Sequence, residues 1–208
     1  MTVATTYSSL VNDIIQYAER TDAPFTEQVP RFIALTENRL ASEFRGLGTQ
    51  KYVTGTLTGN TLAKPERWHE TVSLSILSAG DRIYLQNRSY DYCRAYNPTN
   101  ATGVPRFYSD YEYEHYFISP TPAANYDFEL AYYERPVPLS AENQTNYFTQ
   151  YCPQLLLYGA LLEAQPFLKR PERIQEFQAL FDRALQGMAQ ESTRRISADR
   201  AGTARSGE

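Results

Sequence analysis

The residue types that most often carry catalysis are scarce in this chain of 208 residues. Only His69 and His115 could act as general bases, and the two cysteines, Cys93 and Cys152, have neither the spacing of a metal site nor that of a disulfide framework. The sequence contains no glycine-flanked serine elbow and no phosphate-binding glycine loop. It therefore predicts a protein that is not an enzyme and that holds no cofactor and no metal ion.

The most unusual composition lies in residues 108–134, which contain several carboxylates and neither lysine nor arginine. If residues 110–115 are extended, alternate carboxylates lie on one face of a strand, because successive side chains point to opposite faces. The carboxylates proposed to line a channel or a neighbour-facing surface are Asp110, Glu112, Glu114, Asp127 and Glu129.

Three interpretations of this acidic region remain open. The first is a solvated strand or hairpin edge whose charges discourage stray pairing. The second is a calcium site, although the loop spacing and the glycine of a strong calcium motif are absent. The third is a surface that lets a polyanion pass without binding it, because carboxylates repel phosphates whereas lysine and arginine bind them.

The composition as a whole points towards contacts between proteins. The 17 tyrosines outnumber the 10 phenylalanines and the single tryptophan together. Tyrosine combines a large apolar face with a polar tip and is enriched where a surface is buried against a partner. The net charge of −4 argues against a general nucleic-acid-binding protein, which would need a basic surface.

One helix is predicted at the centre of the fold. The stretch Cys152–Arg170 is apolar around most of its circumference, apart from a narrow stripe that begins at Gly159, so it must be enclosed by other elements. It is too short and too interrupted to cross a membrane, which takes about 20 apolar residues. Together with this helix, the apolar periods predict helices at residues 7–20, 27–46, 149–168 and 172–196.

The middle of the chain has a different pattern. Short β-branched and aromatic runs alternate there with glycine, proline and asparagine, which predicts strands at residues 51–58, 70–77, 82–86, 106–110, 116–119 and 126–134. The predicted fold is α+β: a core like a four-helix bundle, with two N-terminal and two C-terminal helices, and an inserted antiparallel β-rich region. The predicted domains are a helical core (residues 1–48 and 139–196), the β-rich insertion (49–138) and a flexible C-terminal arm (197–208), which is too small and polar to fold alone.

Several phrases of the sequence resemble the head-to-tail adaptor proteins of tailed bacteriophages. These phrases are ERTD at 19–22, YVTGTLTGN at 52–60, RSYDYCRAY at 88–96, ELAYYERPVPLS at 129–140 and LLLYGALLEAQPFLKRPERI at 155–174. Such adaptors are also called head completion or connector proteins, and they are similar in role to the tail tubular proteins of short-tailed phages.

The resemblance implies a homo-oligomeric ring, usually a dodecamer, below the portal protein. The ring would extend the DNA channel, let DNA pass without sequence-specific binding, and attach the tail or nozzle. It also implies an α-helical bundle with a β-rich insertion, and a location at the head–tail junction of the virion after synthesis in the host cytoplasm, without membrane association. In several relatives the C-terminal segment docks on the portal, and its counterpart here contains Arg194, Arg195, Arg200 and Arg205.

A second function remains open from the residues alone. A tyrosine-rich sheet could bind a sugar or a peptide as part of a tail-associated binding module. Such a module would gather Trp68 and several tyrosines in one concave pocket, whereas an adaptor would spread its aromatic residues over two opposing sides.

Overall fold

The computed structural model describes residues 5–204, and the side chains of residues 5–195. The chain forms two compact units: a helical unit, made of the residues up to Thr49 and those from Pro136 onwards, and a β unit, Gln50–Arg135. The α-helices are α1 (Tyr7–Ala18), α2 (Ala23–Thr26), α3 (Val29–Glu43), α4 (Tyr90–Tyr96), α5 (Tyr147–Tyr151), α6 (Pro153–Leu168) and α7 (Ile174–Ala204), and 3₁₀ turns occur at Leu47–Thr49 and Pro171–Arg173. The strands are β1 (Gln50–Leu57), β2 (Thr61–Ala63), β3 (Trp68–Ser78), β4 (Asp81–Tyr84), β5 (Gln86–Asn87), β6 (Thr102–Gly103), β7 (Phe107–Asp110), β8 (His115–Ser119), β9 (Thr121–Pro122) and β10 (Tyr126–Glu134). Helices and antiparallel sheets together make the α+β class that the sequence predicts.

The apolar helix α6 lies at the centre of the helical unit and packs against α1, α3, α5 and α7. Pro153 occupies its first turn, where the missing N–H costs little. Gly159, where the less apolar stripe of the helix begins, is buried: a Cβ there would lie 2.3 Å from Thr36 Cγ2 on α3 and 3.2 Å from the Phe181 ring on α7. The absence of a side chain at Gly159 therefore lets three helices approach closely.

The helix ends differ from the prediction in ways that packing explains. Helix α3 ends at Glu43, and Gly46 and Gly48 beyond it do not cap it. Their role is steric, since a Cβ on Gly46 would lie 2.2 Å from the Phe44 ring and one on Gly48 would lie 1.9 Å from the Tyr147 ring. Helix α7 continues to Ala204, past the predicted end at residue 196. Once a helix is nucleated on a packed segment, each further residue is added at little cost.

The β unit contains two four-stranded sheets where the sequence suggested one. The first sheet has the order β1-β10-β3-β4 and the second has the order β2-β8-β7-β5, in which only the β5–β7 pair is parallel. Both sheets contribute to one apolar core, with Leu57, Leu74 and Leu130 from the first and Tyr116 and Ile118 from the second. The unit is thus a sandwich. Helix α4 packs on β7 and β8.

Candidate assembly surfaces

Residues 110–115 form the turn of a hairpin between β7 and β8, so the extended conformation considered for them in the sequence is not the one adopted. Asp110 pairs with Tyr116 across the β7–β8 hairpin. The backbone N–H groups of Tyr111 and Glu112 both donate to the carbonyl oxygen of His115, at 3.2 and 3.3 Å. The reversal of the chain brings a buried aromatic strand back beside β7, and it removes the alternation that would have placed three carboxylates on one face.

A lysine from outside the acidic region holds this hairpin. Lys64 Nζ lies 2.8 Å from Asp110 Oδ1 and donates to the carbonyl oxygen of Glu112 at 3.1 Å. The same ammonium lies 4.1 Å from the centre of the Trp68 ring and 4.9 Å from that of Tyr116, so that its side chain is only 4% exposed. Burial of a cation is tolerated here because a carboxylate, a carbonyl oxygen and two aromatic faces replace its water.

The other two hairpin carboxylates are exposed. Glu112 Oε1 lies 2.5 Å from His115 Nδ1, an ion pair when the imidazole is protonated. Glu114 borders a depression of about 350 Å³ together with Trp68 and Tyr113, whose side chain is 73% exposed. The hairpin tip therefore presents both charge and an aromatic ring to its surroundings.

The remaining carboxylates of the predicted acidic surface lie elsewhere, on the outward face of the first sheet. Glu129 pairs with Arg82 on β4 at 2.9 Å, and Arg82 also donates to Ser75 Oγ at 2.9 Å. Asp127 accepts a hydrogen bond of 3.3 Å from the hydroxyl of Thr56, a neutral donor. The structure thus places the five carboxylates at two sites. At each site a cation that is distant in sequence pairs with one of them: Lys64 with Asp110, and Arg82 with Glu129.

The outward face of the first sheet, called the sheet surface below, combines this charge with exposed aromatic rings. Thr54, Glu129, Ser75 and Tyr84 lie opposite one another on its four strands. Tyr84 is 63% exposed. The surface contains a shallow depression of about 310 Å³, which is bounded by Thr54, Thr56, Leu77, Arg82, Asp127 and Glu129.

A second aromatic surface, called the α4 surface, surrounds helix α4. Ser89 caps the helix by accepting from the N–H of Tyr92, and Cys93 faces the second sheet, where Ser119 Oγ donates to its carbonyl oxygen at 3.1 Å. With Cys93 turned inwards, the tyrosines of α4 are exposed at the sides of the helix. The rings of this surface, which contact one another in pairs at 4.8–6.4 Å, are those of Tyr90, Tyr92, Tyr96, Phe107, Tyr111 and Phe117.

These two surfaces lie on opposite sides of the β unit. Along β7 and β8, Tyr108 and Ile118 point into the core between the sheets, whereas Phe107 and Phe117 contact the α4 tyrosines on the other side. Trp68 belongs to neither surface, since it packs edge-on against Tyr116. Tyr113 shares a depression with Trp68, but most of the exposed tyrosines of the β unit are spread over the two sides, which favours an adaptor over a single ligand-binding site.

The helical unit has a surface depression of its own, of about 340 Å³. It is bounded by Leu47, Tyr151, Cys152 and Glu191, among others, and Glu191 pairs with Arg195 at 2.5 Å. Burial, reinforced by the nearby Glu191 carboxylate, raises the pKa of the Cys152 thiol to about 11. The thiol therefore stays protonated at neutral pH and is a poor nucleophile.

The structure places the four arginines of the predicted docking arm only in part. Arg194 and Arg195 are exposed near the end of the described side chains. The backbone of Arg200 is helical, and Arg205 lies outside the described residues.

Within residues 5–195, no group of three or more histidine, cysteine, aspartate or glutamate side chains could hold a metal ion. No helix in the described part of the chain is both long enough and apolar enough to span a bilayer.

A two-unit fold with exposed aromatic surfaces and paired surface charges is typical of a protein that works by assembling with others. The chain belongs to the SU10 adaptor protein family, whose family model matches residues 5–206. No curated protein matches the chain. Membership supports a structural role as a phage adaptor, a component of the virion that associates with portal or tail proteins, and it suggests that the chain is not an enzyme.

Proposed function

We propose that this chain is the ring-forming subunit of a phage head–tail junction. A ring of its copies, a dodecamer by analogy with similar adaptors, lies below the portal, extends the DNA channel and attaches the tail or nozzle. The observation that carries this proposal is the match to the adaptor family along residues 5–206. The two opposed aromatic surfaces of the β unit support it, since a subunit within a ring must contact a neighbour on each side.

The acidic hairpin tip fits a position facing the channel or a neighbouring subunit. Asp110 is neutralised by Lys64, so the charge available to repel DNA phosphates comes from Glu112 and Glu114. Carboxylates placed there would let DNA slide past without the counterion release that tight binding requires. Because this charge is confined to the hairpin tip, the proposal requires only that the tip reach the channel wall.

The C-terminal arm is proposed to dock on the portal. Its arginines, Arg194, Arg195, Arg200 and Arg205, offer planar guanidinium groups suited to carboxylates on a partner. Helix α7 extends into this arm as far as Ala204.

The function is tested by mixing the full chain with purified portal rings of the same phage. Negative-stain electron microscopy and sedimentation should show a second ring below the portal. Removal of residues 194–208, which contain all four arginines, should weaken this docking, whereas exchange of the exposed Glu172 for Gln should leave it unchanged. If the full chain forms no complex with its cognate portal, the proposed function is wrong; if the truncated chain docks as tightly as the full chain, only the arm is excluded.

A further inference from the structure

We infer that the α4 surface of one copy binds the sheet surface of the next copy around the ring. This inference rests on the proposed function, because it identifies the faces by which neighbouring subunits meet. The occupant of each surface is therefore a second copy of this chain, bound through a different face.

The α4 surface is too apolar to be left in water at no cost. Tyr90, Tyr92, Tyr96 and Tyr111 are between 37% and 50% exposed and lie in contact with buried or half-buried phenylalanine rings. A tyrosine buries about 150–250 Å² when fully covered, so the four rings supply roughly 400 Å² of further burial. This is about half of the ~800 Å² that one partner contributes to an interface of standard size.

The charges of the two surfaces are complementary. On the α4 surface, Arg88 donates to Gln86 Oε1 at 2.9 Å and Arg94 donates to Asn100 Oδ1 at 2.6 Å, so both guanidinium groups are hydrogen-bonded to neutral acceptors. On the sheet surface, Asp127 is bound only by the hydroxyl of Thr56 among the described residues. A cation and a carboxylate that each lack an ion-pair partner among the described residues of their own subunit gain one when the two surfaces meet.

A contact between these two different surfaces is head-to-tail. The two surfaces lie on opposite sides of one sandwich, so binding one of them leaves the other free for a further copy. Repetition of such a heterologous contact gives a closed ring or an open filament, whereas a twofold contact would end at a dimer. The shallow depression of the sheet surface, beside Asp127, offers space for a ring projecting from α4.

The first test reverses charge on each surface. Asp127→Arg and Arg88→Glu should each weaken ring formation on cognate portals by roughly tenfold in the concentration needed, since each places like charges together. The chain that carries both changes should assemble at nearly the wild-type concentration, because the ion pair is restored in the reverse sense. Glu172→Arg, the same kind of charge reversal on the helical unit, is the matched control, and circular dichroism verifies that each variant folds.

The second test uses cross-linking to decide whether the two surfaces touch. Thr56→Cys and Tyr92→Cys are prepared as separate chains, mixed, assembled on portals and treated with a short bismaleimide. The native cysteines are buried and give little background. Cross-linked dimers should form in the mixture and be absent when either variant is assembled alone.

The inferred interface is overturned if rings form normally on the portal, give no such cross-link and show no effect of charge reversal. That outcome leaves the proposed function intact. The absence of wild-type rings on the portal counts against the function itself. The two failures are thus distinguishable in one set of samples.

Discussion

The carboxylate of Glu37 on α3 should make the helical unit less stable as the pH rises. Its oxygens accept hydrogen bonds from the N–H of Leu139, at 3.1 and 3.2 Å, and from Nδ2 of Asn146, at 2.7 Å. These bonds favour the charged form, but burial outweighs them and raises the pKa of Glu37 from 4.5 to about 7. Because the folded-state pKa is raised, the group contributes stability that is fully present below about pH 4.5 and is lost as the pH rises through 7.

The size of the effect follows from the shift. At about 1.4 kcal/mol for each unit of pKa difference, the change from 4.5 to about 7 corresponds to about 3.4 kcal/mol. About three quarters of this stability, roughly 2.5 kcal/mol, is lost between pH 5 and pH 8. Glu37→Gln keeps the shape and an acceptor for Leu139 and Asn146 but cannot ionise. It should therefore remove this part of the pH dependence, while Glu27→Gln, an exposed position in the same unit, should not.

The assay is denaturant unfolding at pH 5, 6, 7 and 8. Circular dichroism at the helical minimum follows mainly the helical unit, and fluorescence of Trp68, the single tryptophan, follows the β unit as an internal reference. The free energy of unfolding of the wild-type helical unit should fall towards pH 8 relative to that of the Glu37→Gln variant. Parallel pH profiles of the two proteins, with a constant difference between them, would refute the reasoning.

Three further predictions concern packing and reactivity. Gly159→Ala should lower the free energy of unfolding of the helical unit by about 1–3 kcal/mol, because the new methyl group would overlap Thr36, and paired Thr36→Ser should recover part of the loss in the same circular dichroism assay. Lys64→Met should lower the free energy of unfolding of the β unit, followed by tryptophan fluorescence, by about 2 kcal/mol. The substitution keeps the apolar stem but loses the cation–π contacts and leaves Asp110 unpaired. An equal loss in 1 M salt would show that packing, not charge, is responsible. Cys152 should react with a thiol reagent at pH 8 far more slowly in the folded protein than in denaturant, and equal rates would contradict its burial and raised pKa.

Periodicity in the sequence predicted the helices well because their apolar faces are local signals. The stripe through Phe32, Ile33 and Leu40 marks α3, and Pro153 marks the start of α6. The β strands of the middle region were also found from composition, except for the short β2, β5, β6 and β9, whose two or three residues carry no period.

The features that sequence reasoning missed depend on residues far apart in the chain. Nothing near Asp110 indicates that Lys64 reaches it, and nothing near Glu129 points to Arg82, because these pairs form only when strands meet. The burial of Glu37 was missed for the same reason. Its one local signal is a position beside Thr36, at the edge of the buried stripe of α3, whereas its partners lie more than 100 residues away.

The pairing of β1 with β10 has a consequence for how this chain can be cut and rejoined. Gln50 and Tyr133 face each other on neighbouring strands, so the backbone leaves and returns within about 5 Å. A linker of three or four glycine and serine residues would bridge that gap with little loop-closure entropy. Excision of the whole β unit, Gln50–Arg135, should thus yield a shortened protein that folds by itself. Other segments with closely spaced ends could be grafted in its place.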